Sequence, residues 1–592
     1  MCCLVTFSLC RYIQESSNPP NYVLCIANVS HTTFAVAQHN LCACMCCHRM
    51  ASPESATSRL LALPEPCLLA VLQYCATQDQ CSLFSAATAH SRLHHAAMQV
   101  LHSITMISTT QEQMNSILPF LAKHGRRVSS ITLQGAEGTS LSLCTLPAKL
   151  QLDSLQLNNM SLQLQSGYDS HGVLGYPAVA ALKQLRLGDC RTLDHGDAQQ
   201  RVLAMSLSQL CQLEHLTLTG QSIVHFLINV EPHRLQRVQQ LTYLELSGIK
   251  LDRPIDSYTD EARPPLEILK VLTRLVDLRL SNDYQDDCER GTGFIPACVL
   301  SGMQRLTRLE LLHCTVERGG LVGKADLRHL KLDRCGMEGC KTATAQLLSQ
   351  IQDMQQLTHL CLAGTLGSRV HARSNPPVTA YSALTASSVL QHLDISRCRL
   401  PSGVGNKCVW AHVFPAGRQL PHLRELKLSG STQNWVSAIA PDGTRLVSCC
   451  PNLRHLDCMS LLNPYPYGEE WLVPLQELSR LHTLRASADP VQALQAVCQL
   501  TELRQLSLFC PQHTQNYWLL LQLTQLKQLT ALTYRSGDKC AFWEISFTNT
   551  VSRENSAVAA LLLACQVVVA LSDASTVLSL VVTTMHDNRG SS

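Results

Sequence analysis

The fold of this chain is decided by the stretch LKQLRLGDCRTL, residues 182–193. It contains the spacing L-x-x-L-x-L, and Cys190 follows three residues after the last of these leucines, Leu187. Residues two apart in a β-strand point to the same side, so Leu185 and Leu187 face one side and Arg186 faces the other. The pattern predicts a short strand with buried leucines and an exposed arginine.

The same spacing returns along the chain as a tandem repeat of uneven length. Clear copies begin at Leu213, Leu241, Leu275, Leu306, Leu327, Leu357, Leu390, Leu423, Leu453 and Leu503. Weaker copies begin at Val128, Leu152, Leu481 and Leu529. With the copy at Leu182 they make 15 units between Val128 and about Gly537, starting about 29 residues apart. So long an array indicates a repeat architecture.

The units resemble leucine-rich repeats of the cysteine-containing kind. The resemblance implies an α/β solenoid, with a curved parallel sheet on the concave side and helices or irregular turns on the convex side. At the turn after the third leucine, Cys190, Cys314, Cys335 and Cys398 stand where such repeats carry Asn or Cys to satisfy backbone groups. We therefore interpret these four cysteines as buried structural thiols.

Composition and charge argue against several classes of partner. The 592-residue chain is too long for one compact core. Its charged residues make up 15% and its formal net charge is +3, whereas an average soluble domain has about 25% charged residues. The sequence contains no evident basic stripe or long run of like charge, so nucleic acid is not an expected partner.

The cysteines favour a reducing compartment over a disulfide scaffold. They number 29, an odd count, and are spread along the whole chain. Residues 1–10 lack the basic segment and small-residue cleavage site of a secretion signal. We therefore expect a cytoplasmic location, with the nucleus as the alternative.

A different pattern precedes the repeats, in residues 60–97. Leu63-Pro64-Glu65 leads into apolar residues spaced as in short amphipathic helices. The stretch resembles an F-box, a three-helix module that docks on the small adaptor subunit of a cullin-type (SCF) ubiquitin ligase. It departs from the family pattern at Pro66 and Cys75, and Leu93 is the residue nearest to an absent tryptophan.

This resemblance implies an adaptor-binding role for one set of residues, while the repeats would select the substrate. The set is Leu63, Pro64, Leu68, Leu69, Val71, Leu72 and Tyr74. The alternative is an all-α cap that shields the first repeat, since any solenoid needs one at its end. Both hypotheses require the same apolar spacing.

The chain is thus predicted to have four segments. The F-box-like module or cap occupies 50–110 and the solenoid 120–537. Residues 1–49 are interpreted as a disordered tail or an extension from an incorrect gene model. Residues 538–592 are predicted to be a weakly structured tail.

Two features of the end segments suggest a metal site and a membrane span. Cys42, Cys44, Cys46, Cys47 and His48 suggest a metal cluster, but they lack the paired C-x-x-C spacing of structural zinc sites, so we expect no metal there. The apolar run 557–582 is broken by the polar residues 572–576, and neither half reaches the roughly 20 residues of a membrane span. We expect no membrane insertion.

The residue between the second and third leucines forms an outward column, because parallel strands stack about 4.8 Å apart. Along the chain this column contains Arg186, Thr217, Glu245, Arg279, Glu310, Lys331, Cys361, Asp394, Lys427, Asp457 and Arg485. From Glu245 to Lys331, and again from Asp394 to Arg485, each charge has an opposite neighbour. Such exposed pairs contribute a few tenths of a kcal/mol each. We expect a face with little net field.

The column one position earlier carries His215, His329, His359, His392 and His455. Three of them stand in consecutive repeats, an arrangement that suits metal binding or a pH response. We favour a structural interpretation, in which these are polar side chains that tolerate a crowded concave face. Some of them are also candidates for contacting a protein partner, since half-exposed rings suit interfaces. The predicted partner-binding residues are Tyr243, His329, His359 and His392 in this column, and Tyr284, Tyr465, Tyr467 and Trp471 in loops.

Motifs for catalysis are missing from the sequence. It contains no convincing nucleophile elbow, H-E-x-x-H or phosphate-binding glycine loop. The acidic residues Asp283, Asp286, Asp287 and Glu289 lack the spacing of a calcium loop.

We predict a non-enzymatic module without a cofactor, which is a monomer within a hetero-complex. Its concave face binds a protein. Its role is substrate recognition in an SCF-type ligase or, alternatively, scaffolding unrelated to ubiquitin, and an enzyme is the least favoured hypothesis.

Overall fold

The computed structural model of the chain describes the repeat region and a short part of the segment before it. The described residues are 63–65, 67–69, 71–72, 91–136, 138–142, 146–147, 149–163, 181–192, 210–220, 238–249, 266–282, 293–337, 343–366, 376–398, 400, 409–429, 443–459, 473–487, 495–510, 523, 525–526, 528–536 and 543–548. They form two compact units, the first ending at Leu393 and the second starting at Asp394.

The first unit is built on a parallel sheet of short strands. Its strands are β1 (Ser103–Thr109), β2 (Ser130–Gly135), β3 (Ser140–Ser142), β4 (Ser154–Asn158), β5 (Ser161–Gln163), β6 (Gln184–Gly188), β7 (Arg191–Thr192), β8 (His215–Thr219), β9 (Tyr243–Ile249), β10 (Asp277–Asn282), β11 (Gly293–Ile295), β12 (Arg308–Leu312), β13 (Cys314–Val316), β14 (His329–Asp333), β15 (Gly336–Met337), β16 (His359–Cys361) and β17 (His392–Asp394).

The main sheet of this unit runs from β1 to β16 in the order of the chain. Its successive pairs are β1–β2, β2–β4, β4–β6, β6–β8, β8–β9, β9–β10, β10–β12, β12–β14 and β14–β16, all parallel. The nitrogen of His392 donates to the Thr358 oxygen at 3.0 Å, which continues the ladder to β17. Two small parallel sheets follow the turns, β3–β5–β7 and β11–β13–β15.

The second unit repeats this arrangement. Its strands are β18 (Glu425–Lys427), β19 (His455–Cys458), β20 (Thr483–Ser487), β21 (Gln505–Cys510), β22 (Ala531–Ser536) and β23 (Trp543–Thr548). Strands β18 to β22 pair in parallel in chain order, and β23 pairs antiparallel with β22.

Short helices connect the strands. They are α1 (Ser91–Val100), α2 (Gln111–His124), α3 (Ala297–Ser301), α4 (Ala343–Gln352), α5 (Val409–Val413) and α6 (Gly443–Cys449), with 3₁₀ segments at Gly125–Arg127, Glu267–Val271, Val378–Thr385 and Val473–Glu477. Helix α2 begins with a capping box, since Thr110 accepts from the Gln113 nitrogen at 3.3 Å and the Gln113 side chain accepts from the Thr110 nitrogen at 2.9 Å.

The interior of each unit consists of the leucines of the repeat. Leu185 and Leu187 are buried while Arg186 is exposed, and Leu330 and Leu332 of β14 are fully buried in the same way. The leucines lie in register, with Leu216 between Leu185 and Leu244 on adjacent strands. Burying a Leu side chain is worth roughly 1.5–3 kcal/mol. The leucine pattern therefore sets both the strands and the core.

The turns after several strands have a left-handed residue at the same position of the repeat. It is Asp189 before Cys190 and Arg334 before Cys335, with φ of 48° and 52°. Glycine takes the same place at Gly248, where φ is 83° and where glycine meets no steric penalty. The sharp turn directs the next residue back into the interior.

The buried thiols of Cys190, Cys314 and Cys335 bond back to the repeat before their own. The Cys190 sulfur donates to the Leu157 oxygen at 3.4 Å, and the Cys335 sulfur donates to the Leu311 oxygen at 3.3 Å. Burial raises the pKa of Cys190 to about 11 and that of Cys314 to about 12, so these thiols stay protonated. Thr365 takes the cysteine position in its repeat, donating to the Leu332 oxygen at 2.7 Å.

The predicted leucine-rich-repeat solenoid is confirmed, and each of the 15 predicted units carries a strand. Two boundaries differ from the prediction. Strand β1 lies inside the segment 50–110 predicted to be helical, because β-branched Ile and Thr residues there pair with β2. Strand β23 lies inside the tail 538–592 predicted to be weakly structured, because its backbone pairs with β22. Both strands lack the leucine repeat.

Candidate functional site

The outward side of β9, β10, β12, β14, β16 and the start of β17 forms the candidate site, called here the ladder face. Register aligns its two columns. The first contains Tyr243, Asp277, Arg308, His329 and His359, and the second contains Glu245, Arg279, Glu310, Lys331 and Cys361. His392 follows His359 in the first column. All these residues lie partly exposed above the leucine core.

Four charged residues, Asp277, Arg279, Arg308 and Glu310, form an ion network across both columns. Arg279 lies 3.2 Å from Asp277 and 3.9 Å from Glu310. Arg308 lies 3.7 Å from Asp277, and its Nε donates to Glu310 at 2.8 Å. Each of the two arginines therefore contacts both carboxylates, Asp277 and Glu310.

The network differs in part from the sequence prediction. Register confirms that Arg279 has Glu245 and Glu310 as neighbours in its column. Asp277 and Arg308, which stand two residues before Arg279 and Glu310, were not predicted to belong to the site. Because residues two apart in a strand share a face, this spacing was the available signal.

Charge on this part of the ladder face is balanced. The hydrogen bond from His329, the largest influence, lowers the pKa of the Glu310 carboxyl, and Arg308 lowers it further. Burial raises this pKa, but the hydrogen bonds outweigh it, and the pKa falls to about 2. With imidazoles neutral, three acidic and three basic side chains occupy the two columns. The predicted face of little net field follows from this balance.

Tyr243 is held in place at one end of the ladder face. Its hydroxyl donates to Glu245 at 2.7 Å, and the guanidinium carbon of Arg279 lies 5.1 Å from the centre of its ring. Burial, followed by the hydrogen bond to Glu245, raises the pKa of Tyr243 to about 12. The neighbouring His215 ring lies 5.6 Å away, centre to centre. The phenol is thus a fixed, neutral ring.

His329, His359 and His392 form a stacked strip at the other end, named here the histidine strip. The ring centres lie 5.1 Å apart for His329 and His359 and 5.8 Å apart for His359 and His392, with interplanar angles of 30° and 22°. The His329 Nε2 atom lies 3.3 Å from Glu310, and the His359 Nδ1 atom lies 2.9 Å from the Thr358 hydroxyl. The strip is therefore joined to the ion network.

The remaining predicted partner-binding residues have no described position. Tyr284, Tyr465, Tyr467 and Trp471 lie outside the described residues. Their participation stays a prediction from the sequence.

The predicted adaptor-binding residues divide between two faces of a helical segment. The described residues between 65 and 72 are helical, and the Leu68 nitrogen donates to the Pro64 oxygen at 3.0 Å. Leu68 and Leu72 are buried, at 0% and 2% exposed. Pro64 is exposed, whereas Leu63, Leu69 and Val71 are partly exposed and Tyr74 lies outside the described residues. Only the partly exposed or exposed set is accessible to another protein.

Within the described residues, no group of three or more His, Cys, Asp or Glu side chains is arranged to hold a metal ion. None of the described helices has the length and apolar character to cross a membrane. The cysteine-rich segment 1–49 and the apolar run 557–582 lie outside these residues.

Comparison with known proteins gives matches at low similarity only. No protein-family model matches the chain, and no curated protein does. An internalin of Listeria monocytogenes strain 4b F2365 is 17% identical, with a TM-score of 0.35, over 62% of this chain and 82% of the internalin. A leucine-rich-repeat protein of Leptospira interrogans is 15% identical, with a TM-score of 0.39, over 70% of this chain and 91% of that protein.

Proposed function

We propose that the ladder face binds a protein partner and that the chain is a binding scaffold, not an enzyme. The observation that supports this proposal most is the stacked histidine strip, which lies beside an ion network whose positive and negative charges balance. Aromatic rings that are already ordered lose little conformational freedom on binding, so they suit the centre of an interface.

The dimensions of the face fit a peptide segment or one face of a helix. From β9 to β17 there are six strands, which at about 4.8 Å spacing cover about 24 Å. An extended segment of about seven residues has the same length. Because the charges of Arg279 and Arg308 are already paired, we expect ring contacts to contribute more to specificity than long-range attraction.

Photocrosslinking tests this proposal with the full-length chain. A photoreactive phenylalanine at His359 should trap one protein in cells of the host, and the same group at exposed His102 should not. The trapped protein, once purified, should bind His329→Ala/His359→Ala/His392→Ala at least about tenfold more weakly than wild type. His102→Ala is the matched control. Equal affinity for the triple variant and wild type would contradict the proposal.

We propose further that the partner is a substrate of an SCF-type ubiquitin ligase and that the N-terminal helical segment binds the ligase adaptor. Support comes from the resemblance of residues 60–97 to an F-box and from the partial exposure of Leu63, Leu69 and Val71. The burial of Leu68 and Leu72 assigns them to the support of this segment.

Co-expression with the host's ligase adaptor tests this finer proposal. Wild type should capture the adaptor, Leu69→Asp/Val71→Asp should lose it, and Gln99→Asp, an exposed position on α1, should keep it. No capture by wild type would leave a scaffold whose helices only cap the repeats. Equal capture by all three proteins would mean that another face binds the adaptor.

A cytoplasmic or nuclear location is part of the same proposal. Cys190, Cys314 and Cys335 are free and buried, and each is placed to donate its thiol hydrogen to a carbonyl. These hydrogen bonds need reduced cysteine, which is the usual state in those compartments.

A further inference from the structure

The second unit has a basic edge that the sequence alone does not reveal. The residue after the first leucine of four successive repeats is Arg424, Arg454, His482 and Arg504. Backbone hydrogen bonds of 2.8 Å join Arg454 to Arg424, His482 to Arg454 and Arg504 to His482. The four residues therefore lie side by side where β18 to β21 begin, and this row is named the basic edge.

The side chains of the basic edge are close enough to influence one another. His482 is partly exposed, and burial, then Arg504 and Arg454, lowers the pKa of its imidazole. The ring of His455 meets that of His482 edge to face, with centres 6.5 Å apart. The arginines themselves are exposed, so their charges face the solvent.

A surface cavity of about 460 Å³, named the edge pocket, opens on this row. Its lining is Arg454, Ser479, Arg480, His482, Thr501 and Glu502. Arg480 donates to the Asn452 side chain at 2.6 Å, which fixes its guanidinium. Glu502 accepts from Gln528 at 3.5 Å, on the side of the next repeat.

The edge pocket has an excess of positive charge. Within the described residues, neither Arg454 nor Arg480 forms an ion pair with a carboxylate. Two arginines face one glutamate in the lining, and Arg424 and Arg504 flank it. This differs from the ladder face, where each arginine is paired.

We propose that the edge pocket binds a phosphate group on a phosphoserine or phosphothreonine of a protein partner. The pocket offers hydrogen-bond donors from two guanidiniums, one imidazole and the hydroxyls of Ser479 and Thr501. A phosphate monoester has three free oxygens to accept from them, whereas a carboxylate has only two. The cavity exceeds the size of one phosphate and leaves room for the attached side chain.

A protein carrier fits this edge better than a nucleic acid. Four repeats at about 4.8 Å spacing give a row of only about 14 Å, which is too short to follow a nucleic-acid backbone over many phosphates. The choice of a protein carrier rests on the proposed scaffold function, whereas the anion chemistry rests on the edge pocket alone.

Binding of phosphopeptides to the full-length chain tests the inference. A degenerate peptide library with a central phosphoserine or phosphothreonine, its unphosphorylated copy, inorganic phosphate and a single-stranded RNA oligonucleotide serve as probes. The phosphorylated library should bind at least about tenfold more tightly than its unphosphorylated copy and more tightly than inorganic phosphate. Arg454→Gln/Arg480→Gln should remove that difference, while Arg126→Gln/Arg127→Gln, exposed arginines of the first unit, should keep it.

Three results would overturn the inference: no preference for the phosphorylated library, a preference that survives Arg454→Gln/Arg480→Gln, or tighter binding of the RNA through the same arginines. Circular dichroism checks that both variants are folded. The variant His329→Ala/His359→Ala/His392→Ala should bind the phosphopeptides like wild type, so failure of the ladder-face proposal and failure of this one are separate results.

Discussion

The ladder face of the first unit and the basic edge of the second are built from the same repeat but carry charge differently. On the ladder face, Arg279 and Arg308 each contact two carboxylates. On the basic edge, Arg454 lines the edge pocket together with Arg480, beside one carboxylate, Glu502, that accepts a hydrogen bond from Gln528. The position within the repeat sets only where a side chain lies. The residue type in the adjacent repeat decides whether its charge is neutralised.

The difference has a consequence for recognition. A neutralised network has a weak field at distance, so binding there depends on contact between surfaces. Unpaired cations attract anions over about a Debye length, about 8 Å at physiological ionic strength. We therefore expect partner binding to the ladder face to change little with salt and phosphopeptide binding to the basic edge to weaken as salt rises.

The largest effect should come from the core beneath the ladder face. Leu330→Ala removes a fully buried side chain of β14 and should lower the free energy of unfolding by about 2–5 kcal/mol. Urea denaturation followed by circular dichroism measures it. Lys331→Ala, on the outward side of the same strand, should cost under about 0.5 kcal/mol. Similar costs for both substitutions would contradict the assignment of Leu330 to the buried face and Lys331 to the outward face.

A smaller effect should come from the left-handed turns that follow several of the strands. At Gly248, with φ of 83°, an added Cβ would lie 3.2 Å from the backbone of Gly220, so Gly248→Ala should destabilise by about 1–3 kcal/mol. Arg334→Gly, at a turn with φ of 52°, should leave stability unchanged or raise it, because glycine relieves the strain. Thermal unfolding compares the two, and a larger loss from Arg334→Gly would count against this account of the turns.

Acid should weaken the ion network in a defined window. The pKa of Glu310 is about 2 in the folded protein, below the ordinary value of 4.5. Its contribution to stability is therefore present above about pH 4.5 and is lost as the pH falls toward 2. Glu310→Gln should be less stable than wild type at pH 7, and the difference should shrink through that window. A difference that stays constant with pH would show that the carboxylate charge is not responsible.

The smallest expected effect is a difference in stability between the same substitution, arginine to glutamine, in the two regions. Arg279→Gln breaks contacts with Asp277 and Glu310 and should cost about 1 kcal/mol, discounted for its partial exposure. Arg504→Gln, on the basic edge, should change stability by less than about 0.5 kcal/mol in either direction. Denaturant midpoints measured side by side decide it. Equal losses would remove the contrast between a paired and an unpaired arginine.

Much of the fold could be predicted from the sequence, because leucines two residues apart are buried together only when the segment is a strand with that face toward the core. Leu185 and Leu187 sufficed to assign their strand, and the other predicted units followed. Strand β1 could not be predicted, because its Ser-Ile-Thr-Met-Ile-Ser-Thr sequence lacks the leucine pattern and is placed by pairing with β2.

The candidate site was predictable only in part. The columns that contain Tyr243 and the histidine strip follow from strand alternation. The partners of Arg279 depend on side-chain reach across two columns, which spacing does not give. The basic edge joins residues about 22 to 30 positions apart in sequence, and only the register of β18 to β21 aligns them.

Histidine footprinting of the chain, free and bound to its crosslinked partner, shows whether the ladder face is the binding surface. Mass spectrometry after diethyl pyrocarbonate treatment reports the modification of each imidazole. The bound partner should protect His329, His359 and His392 and leave the exposed His95 and His102 unchanged. Unchanged modification of the histidine strip in the complex would contradict the assignment of the ladder face as the binding surface.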